Sequence, residues 1–549
     1  MQKNKKINKG FYSRFAERSV ICFILILALA ATGAFRVFFI KIDEKFIETA
    51  NLENTYTFEY QNSRGMILDY AGLPLTNVEE KTLALITPST NAIISLQDYF
   101  NDNSKKEILN QLKGNKPILT EVNSLVNANG IYGFIKKERY SKTTLAKHLI
   151  GYLDSTNNGV FGIEKGLNNI LFSKENLSVS IPCNAKGEII YGTKPEFKGK
   201  ISENYVSLTI DSRIQKIAEE ASANLKKGAV IVTEVTTGKI RAMVSKPDFD
   251  QTNIAKSLNS SDSPLVNRAL QEYNVGSIFK PCLAAAALES NLQGYKYTCT
   301  GSCNIDGQNF KCHKQSGHGE MTLKKAIEQS CNTYFYNLSQ IIDKDLLYNI
   351  ITHLGFKSEV NLNGGIVSKK GNITSLEKLK TSKRSLANFA IGQGDILLSP
   401  LVMSNLYNAI ANNGHYSKLS VIEKTSLNSN EEYIGESVKV FSERTSNYLK
   451  ESLLSVVLNG TGTQAKSEII TSAGKTATAE TGWKINNINA VHKWFCGFFP
   501  YNKPLYTVVV FVENANSGGE DSAIIFKKIT EDMNILIQNT WQKFKKIYN

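Results

Sequence analysis

Several signatures of common functional classes are missing from this chain of 549 residues. It has no glycine-rich phosphate loop, because the Gly-Thr-Gly run at 460–462 is a weak match that is better explained as an ordinary loop. Internal repeats are also absent. The chain has only six histidines. Four of them stand apart, without carboxylates at a spacing diagnostic of catalysis or metal binding: His148, His353, His415 and His492. These regions therefore give no sign of a phosphate site or a histidine-centred site.

Acidic residues are in deficit. The chain has 64 lysines and arginines against 50 aspartates and glutamates, which gives a net charge of +14 and a pI near 9.1. Such a balance suits nucleic acid or an anionic surface as partner. No motif that combines aromatic and basic side chains accompanies the charge, so we expect no nucleic-acid partner. Hydrophobic residues make up 42% of the chain, and the length predicts at least two folded units.

Much of the positive charge precedes an apolar run from Val20 to Phe35, which is interrupted by Arg36 and resumes to Ile40. One interpretation is a cleaved secretory signal, because the uninterrupted core is short and small residues at 28–34 suit a peptidase. The favoured interpretation is an uncleaved anchor, because the bulky residues after Arg36 extend the run to about 20 residues, enough to cross a bilayer. It predicts a cytoplasmic tail at 1–19, a transmembrane anchor at 20–40 and an extracytoplasmic remainder.

Two folded regions are expected after the anchor. Residues 41–204 are polar, with short apolar strands and no catalytic motif, which indicates a spacer domain. Residues 205–549 alternate predicted strands and helices. The predicted strands are 228–235, 240–244, 494–499 and 505–512, and a final helix covers 521–537. We expect an α+β fold in which both ends of this domain build an antiparallel sheet, flanked by helices and interrupted by a helical subdomain.

Ser277 and Lys280 are the first candidates for catalysis. A serine hydroxyl is a poor nucleophile unless a nearby base takes its proton, and residues three apart on a helix face the same side. Lysine can act as that base when burial and neighbouring cations lower its pKa. Gly276 permits a tight entry to the helix, and Pro281 is tolerated in the first turn. By itself this pair is common by chance.

Two later segments make chance improbable. Ser330 and Asn332 add a hydroxyl for proton relay and an amide that can hold a substrate carbonyl. Lys475, Thr476 and Thr478 stand in a segment expected to form an edge strand, where a cation and hydroxyls can bind a carboxylate. A nucleophile, a relay and a carboxylate clamp predict acyl transfer from a peptide that ends in a free carboxylate.

These motifs resemble the penicillin-binding proteins, and specifically the class B transpeptidases with a single membrane anchor. The resemblance covers nearly the whole region after the anchor. In the catalytic domain it rests on 273–281, 318–319, 330–333, 391–394, 399–401 and 494–498. In the spacer it rests on 64–69, 138–140 and 159–164, which are similar to the pedestal signatures of class B members. The small soluble β-lactamases lack such a pedestal.

The resemblance implies a mechanism. Ser277 would attack the penultimate D-alanine of a stem peptide and pass the acyl group to an amine of a neighbouring strand. Lys280 would take the serine proton, and Ser330 and Lys475 would help protonate the leaving group. The backbone amides of Ser277 and Thr478 would form the oxyanion hole, and Thr476 and Thr478 would bind the carboxylate. β-Lactams would acylate Ser277. No cofactor is required, and the glycan strands would come from a membrane-embedded glycosyltransferase.

Two positions depart from the family pattern. Ala477 stands where the last motif usually has Gly, so its methyl group is expected to narrow the cleft and to alter reactivity towards β-lactams. Tyr70 stands where the pedestal motif usually has a polar residue.

Four of the eight cysteines fall within 299–331, the segment that leads to the second catalytic motif and includes part of it. Cys299, Cys303, Cys312 and His313 have the spacing of a structural, tetrahedral zinc site. A disulfide, which is favoured outside the cytoplasm, and free thiols are the alternatives. His318 is a substitute ligand, although its glycine neighbours indicate a turn.

Two other functions use the same motifs. A sensor or scaffold would be acylated at Ser277 by β-lactams without turnover, but sensors of that kind usually carry several membrane spans and a cytoplasmic effector. A β-lactamase would need a base that activates water for deacylation, and no motif in the sequence supplies one. The sequence does not distinguish roles in elongation, division or sporulation.

Overall fold

The computed structural model describes residues 9–42, 55–99, 102–184, 186–190, 192–428, 433, 435–485, 487–515 and 521–548. The first helix, α1 (Lys9–Ile42), contains the predicted anchor. Its segment Ala16–Ile40 has a mean hydropathy of 2.4 and is the one described helix that is long and apolar enough to cross a membrane. The chain divides into two compact units, each made of several chain segments.

The first unit comprises Met1–Asn62, Glu80–Lys137 and Glu175–Lys200. After α1, its strands are β1 (Thr55–Asn62), β3 (Glu79–Ile86), β4 (Ile118–Val122), β5 (Asn127–Ala128), β6 (Ile131–Glu138), β7 (Asn176–Pro182) and β8 (Glu196–Lys198). Its further helices are α2 (Thr90–Tyr99) and α3 (Asp102–Leu112). Two sheets form, in the orders β1-β7-β8 and β4-β3-β6-β5. The apolar run from Leu83 to Ile86 lies in β3, where all four residues are buried.

The second unit comprises Ser63–Glu79, Glu138–Lys174 and Ile201–Asn549. Its strands are β2 (Met66–Leu68), β9 (Tyr205–Leu208), β10 (Gly228–Glu234), β11 (Ile240–Lys246), β12 (Tyr273–Asn274), β13 (Lys296–Cys299), β14 (Ser302–Ile305), β15 (Gln308–Lys311), β16 (Gly319–Thr322), β17 (Leu397–Leu398), β18 (His415–Ser417), β19 (Ile422–Thr425), β20 (Ser437–Lys439), β21 (Ala473–Ile485), β22 (Ile488–Phe499) and β23 (Tyr506–Val512).

The helices of this unit are α4 (Lys147–Ile150), α5 (Gly162–Gly166), α6 (Asn168–Leu171), α7 (Ser212–Ala221), α8 (Ala255–Leu258), α9 (Lys280–Glu289), α10 (Leu323–Glu328), α11 (Asn332–Ile341), α12 (Lys344–His353), α13 (Leu376–Thr381), α14 (Lys383–Ala390), α15 (Pro400–Ala411), α16 (Glu443–Asn459) and α17 (Ser522–Tyr548). Two 3-10 turns, Gly276–Phe279 and Thr463–Ala465, precede α9 and follow α16 respectively.

The central sheet has the order β11-β10-β23-β22-β21 and is antiparallel throughout. It confirms the prediction that both ends of the domain build one sheet. Alternate residues enter different cores: Ile231 and Val509 pack on the side of α15, whereas Val230 and Val510 pack on the side of α17. Because helices cover both faces, the strands β10 and β23 are almost uniformly apolar.

The compact units do not follow the contiguous division at 204/205 that the sequence suggested. Segments 63–79 and 138–174 belong to the unit that carries the central sheet. The buried carboxylate of Glu164 joins these two segments to each other, because it collects the three pedestal motifs. Arg64 Nε donates to it at 2.7 Å, Arg139 Nε at 2.8 Å and the Tyr140 hydroxyl at 2.8 Å. A buried charge has to be paired, so these segments fold around one another.

Candidate active site

The predicted nucleophile, Ser277, stands in the 3-10 turn Gly276–Phe279, which continues directly into α9. Lys280 is the first residue of α9 and Pro281 follows it, where a missing N–H costs nothing. Gly276 has a φ of +62°, a conformation that L side chains rarely adopt. The backbone of this turn is thereby fixed with Ser277 half-buried at the surface of a cleft.

Residues from three other segments form hydrogen bonds with the backbone around the Ser277 turn. The amide of Gly276 donates to the Gly392 carbonyl at 2.9 Å, and a Cβ on Gly392 would collide with the Gly276 carbonyl oxygen. Trp494 Nε1 donates to the Asn274 carbonyl at 2.9 Å, and the Tyr407 hydroxyl donates to the Ile278 carbonyl at 3.0 Å. The landmarks at 391–394 and 494–498 therefore position the backbone of the nucleophile.

Lys280 is completely buried, and its Nζ contacts the second motif. It donates to the Ser330 carbonyl at 2.7 Å, to Ser330 Oγ at 3.1 Å and to Asn332 Oδ1 at 2.7 Å. Burial lowers the pKa of Lys280 to about 7. A lysine with such a pKa is neutral in part at physiological pH, as a general base requires.

Ser330 is held in an unusual backbone conformation, with a φ of +53°. Non-glycine residues in this region are strained and persist where their surroundings determine them. The amide of Cys331 donates to the Ala326 carbonyl at 2.9 Å, and Cys331 occupies the N-cap position of α11, which begins at Asn332. The turn presents the Ser330 hydroxyl and the Asn332 amide on the same side, towards Lys280.

Lys475 is also completely buried, and it lies on β21, the edge strand of the central sheet. Its Nζ donates to the Thr476 carbonyl at 3.1 Å and to Thr461 Oγ1 at 3.4 Å. Burial, and next the nearby cation of Lys280, lower the pKa of Lys475 well below its usual value. Thr476 Oγ1 lies 3.1 Å from Thr461 Oγ1.

One cleft of about 400 Å³ brings the predicted residues together. Its lining comprises Ser277, His313, Ser330, Asn332, Thr461, Gln464, Thr476, Ala477, Thr478, Lys493, Trp494, Asp521, Ser522 and Ala523. The two lysines Lys280 and Lys475 lie buried and are not part of this lining.

The alternation of side chains along β21 indicates the direction of the Ala477 side chain. Lys475, Ala477 and Ala479 share one face of the strand, and Thr476 and Thr478 share the other. A Cβ on Gly276 would lie 3.2 Å from the Ala479 Cβ, so this face is turned towards the nucleophile segment. The Ala477 methyl, which is almost fully buried, therefore points towards the catalytic side.

Sequence reasoning missed several residues of the cleft. Thr461 is the middle residue of the Gly-Thr-Gly run, and its contacts with Lys475 and Thr476 give this loop a role that its position before the strand could have suggested. Lys493 and Asp521 form an ion pair at 3.0 Å across the cleft. No local motif marks either residue, because they come together only when β22 pairs with β21 and α17 packs on the sheet.

The cysteines assemble in a different set from the predicted one. Potential ligand atoms of four residues lie within 4.8 Å of one another, and we call Cys299, Cys312, His318 and Cys331 the Cys/His cluster. Cys303 and His313 are not members of this group. Cys303 lies on the β14–β15 hairpin beside another small core, and His313 lines the cleft. The structure thus corrects two of the four predicted ligands. All eight cysteines are free.

Tyr70, which departs from the usual pedestal pattern, contacts two arginine side chains. Its hydroxyl accepts a hydrogen bond from Arg213 at 2.7 Å, and the Arg241 guanidinium lies over its ring at 4.7 Å from the centroid. Both contacts lie within the second unit, and the second is a favourable cation–π geometry.

Comparisons with known proteins agree with the resemblance seen in the sequence motifs. The family "Penicillin binding protein transpeptidase domain" matches residues 228–531, more than half of the chain. Stage V sporulation protein D of Bacillus subtilis is 26% identical over 89% of this chain and 80% of its own length. Peptidoglycan D,D-transpeptidase FtsI of Buchnera aphidicola is 26% identical over 94% of this chain and 95% of its own. The solved structure of penicillin-binding protein PBP2 from Helicobacter pylori superposes with a TM-score of 0.65, at 23% identity, over 88% of this chain and 99% of that one.

Proposed function

This chain belongs to the penicillin-binding protein transpeptidase family, and from that premise we propose that it is a peptidoglycan D,D-transpeptidase that cross-links stem peptides through Ser277. The observation that carries the proposal is the environment of Lys280. Its buried Nζ lies on the helical turn after Ser277 and contacts both Ser330 and Asn332. This is the arrangement that an activated serine with a proton relay needs.

The proposed reaction has two acyl transfers. In the first, Ser277 Oγ forms a bond to the penultimate D-alanine carbonyl while its proton passes to neutral Lys280. The C–N bond to the last D-alanine then breaks, and the amine leaves with a proton delivered through Ser330, with Lys475 assisting. In the second, an amine of a neighbouring strand attacks the ester carbonyl and gives a proton to neutral Lys280, which returns it to Ser277 Oγ as the bond from Oγ to the acyl carbon breaks. No net oxidation occurs and no cofactor is consumed.

Substrate recognition is assigned to the edge strand β21. We expect Thr476 and Thr478 to bind the terminal carboxylate with hydroxyl groups, while the positive charge near Lys475 attracts it. The backbone amides of Ser277 and Thr478 are the proposed oxyanion donors, each worth about 3 kcal/mol of barrier in comparable sites. Because β21 is an edge strand, its outer backbone groups are free of strand partners in the central sheet, which suits an extended peptide.

The apolar helix suggests how the enzyme is held. We infer that residues 20–40 anchor the chain in the cytoplasmic membrane, with residues 1–19 inside, since lysines and arginines precede the apolar run. The catalytic unit then faces the peptidoglycan. Glycan strands are expected to come from a membrane-embedded glycosyltransferase, as the family resemblance implies. The reaction needs no metal, so any zinc in the Cys/His cluster has a structural role.

Two experiments on the full chain in detergent test the proposal. Fluorescent penicillin should label the wild-type protein and should not label Ser277→Ala. Ser290→Ala is a matched control, because Ser290 lies at the other end of α9 and its buried hydroxyl has no described hydrogen-bond partner. The proposal fails if Ser277→Ala is labelled like the wild type.

Release of D-alanine from a stem-peptide analogue separates an enzyme from a β-lactam sensor. We expect release by the wild type and by Ser290→Ala, and none by Ser277→Ala. A slow loss of the penicillin label argues against a β-lactamase. Among the described residues of the cleft the one carboxylate is Asp521, and its Oδ2 is engaged in the ion pair with Lys493.

A further inference from the structure

Three thiols and an imidazole converge next to the catalytic motif, on four separate segments of chain. Cys299 ends β13, Cys312 follows β15, His318 precedes β16, and Cys331 occupies the N-cap position of α11. The three cysteines are buried, and His318 is partly buried. Four potential ligands from four segments form a set that a local sequence pattern does not reveal.

Three distances between these ligand atoms are close to those of a tetrahedral zinc site, and all four ligand atoms lie within 4.8 Å of one another. Zn–S bonds of about 2.3 Å and a Zn–N bond of about 2.0 Å put two sulfurs about 3.8 Å apart and a sulfur and nitrogen about 3.5 Å apart. In the structure, Nδ1 of His318 lies 3.5 Å from Sγ of Cys299 and 3.5 Å from Sγ of Cys312. The Sγ atoms of Cys312 and Cys331 are 4.0 Å apart.

The backbone around the cluster is built to bring these segments together. Cys299 pairs with Gly319 in the β13–β16 ladder, and the Cys312 amide donates to the Gly301 carbonyl at 2.8 Å. Gly317 has a φ of +80°, and a Cβ there would collide with the Cys299 carbonyl oxygen. The glycines beside His318 therefore make the close turn that carries the imidazole into the cluster.

A disulfide explains the arrangement less well. A bond between Cys312 and Cys331 requires their sulfurs to approach to about 2.05 Å. It would not account for the positions of the third thiol and the imidazole. Three thiolates and one imidazole are soft donors in the geometry that zinc prefers, and four protein ligands close the coordination sphere, as in structural sites.

We propose that the Cys/His cluster is a structural zinc site that holds the segment Ser330-Cys331-Asn332 in its reactive geometry. This inference deepens the proposed function and rests on it for the role of the segment, but not for the binding of the metal. The key residue is Cys331, because its neighbours on both sides contact Lys280 Nζ.

The proposed zinc ligand Cys331 is directly adjacent in the chain to Ser330 and to Asn332, the two residues that contact Lys280. A bond from zinc to Cys331 fixes the point between Ser330 and Asn332, whose Cα atoms lie about 3.8 Å from that of Cys331. It also helps to maintain the strained φ of +53° at Ser330. Loss of the metal frees this turn, and a displacement of about 1 Å at a catalytic group can cost about 100-fold in rate. His313 lines the cleft next to the ligand Cys312, so the metal also fixes that part of the cleft wall.

The first experiment measures metal in the full chain, purified in detergent without added metal or reductant. We expect about one zinc per chain in the wild type and in Cys303→Ser, and loss of zinc in Cys299→Ser. Cys303→Ser is the matched control, since Cys303 is a nearby cysteine outside the cluster. Zinc lost from Cys303→Ser but kept in Cys299→Ser would overturn the ligand set. Absence of metal from the wild type, together with a disulfide among the three thiols, would overturn the site.

Cobalt(II) substitution of the wild type gives a readout that does not depend on folding of a variant or on activity. Intense thiolate-to-cobalt absorption with the visible bands of a tetrahedral ion is expected. In His318→Ala the visible bands should change while the thiolate absorption remains. An octahedral spectrum would overturn the proposal.

The second experiment tests the positioning role through the acylation of Ser277 by fluorescent penicillin. Removal of zinc with a chelator should lower the acylation rate constant by about 10- to 100-fold, with a smaller change in the initial binding of the drug. Adding zinc back should restore the rate. Unchanged acylation after verified metal loss would overturn the positioning role. If the zinc-loaded wild type does not react with penicillin at all, the proposed function fails while the metal site stands.

Discussion

Lys280 combines burial with three hydrogen-bond acceptors in a way that a structural lysine rarely does. Its Nζ has no exposed surface, which disfavours the charged form, yet Ser330 and Asn332 accept hydrogen bonds from it. The nearby Lys475 is buried as well, and burial together with the cation of Lys280 lowers the pKa of Lys475. A proton taken from Ser277 can therefore be passed on rather than kept.

The rate of acylation should follow the protonation of Lys280. Burial lowers the pKa of Lys280 to about 7, although the Cys331 and Cys312 thiols oppose this shift. Only the neutral amine accepts a proton, so the rate constant for penicillin acylation should be low below pH 6 and should rise to a plateau above pH 8. Stopped-flow labelling across this range gives the profile. His313→Asn is the control, because His313 also lines the cleft. A midpoint that vanishes in this variant would assign the titration to His313.

Ala477 should restrict the cleft. Its methyl lies on the face of β21 that is turned to the nucleophile segment, so Ala477→Gly should raise the acylation rate, by about 10-fold if the methyl contacts the drug. Ala473→Gly is the matched control, since it adds the same flexibility to β21 outside the cleft. Equal rates for Ala477→Gly and the wild type would show that the methyl points away from the bound drug.

At the scale of elements, the proposed catalytic residues are placed by turns and strand ends rather than by the long helices. Ser277 lies in a 3-10 turn, Ser330 in a left-handed turn before α11, and Lys475 on an edge strand. The loop at 391–394 packs against the first of these turns. It contains two glycines with similar positive φ values, Gly392 and Gly394, but only Gly392 touches the nucleophile segment.

Replacing these two glycines should have different effects. In both Gly392→Ala and Gly394→Ala the positive φ costs about 1–2 kcal/mol. A Cβ on Gly392 would also collide with the Gly276 carbonyl, whereas one on Gly394 would meet the Asn388 Cβ at an ordinary 3.5 Å. Penicillin acylation should therefore fall by about 10-fold or more in Gly392→Ala and stay near the wild-type rate in Gly394→Ala. Melting temperatures identify any general loss of folding. Equal losses in both variants would contradict this account.

At the scale of the molecule, a buried charge joins segments that are far apart in the chain. Glu164 is fully buried and accepts hydrogen bonds from Arg64, Arg139 and Tyr140, which come from two separate pedestal segments. These contacts join 63–79 to 138–174, and the pairing of β2 with β9 ties them to the rest of the unit that carries the central sheet. A spacer sequence without catalytic motifs thus contributes part of the framework of the catalytic unit.

Removal of the Glu164 carboxylate should strongly lower the free energy of unfolding. Glu164→Ala leaves the buried guanidinium of Arg64 without its partner, and we expect a loss of about 3–5 kcal/mol in the free energy of unfolding. Glu436→Ala removes a carboxylate whose partner Lys418 is exposed, so its effect on the free energy of unfolding should be much smaller. Thermal unfolding of the full chain in detergent measures both. A similar melting temperature for the two variants would contradict the assigned role of Glu164.

The sequence by itself determined the anchor helix, the sheet built from both ends of the domain, and the three segments that carry Ser277, Ser330 and Lys475. Local apolar runs and short motifs are enough to predict these features. Tertiary structure alone decided that Thr461, Lys493 and Asp521 line the cleft and that Glu164 unites the pedestal motifs. It also replaced Cys303 and His313 by His318 and Cys331 in the Cys/His cluster. The reason is physical: spacing along a chain restricts only near neighbours, whereas the distances between ligand atoms depend on strand register and loop closure, which packing of the whole unit sets.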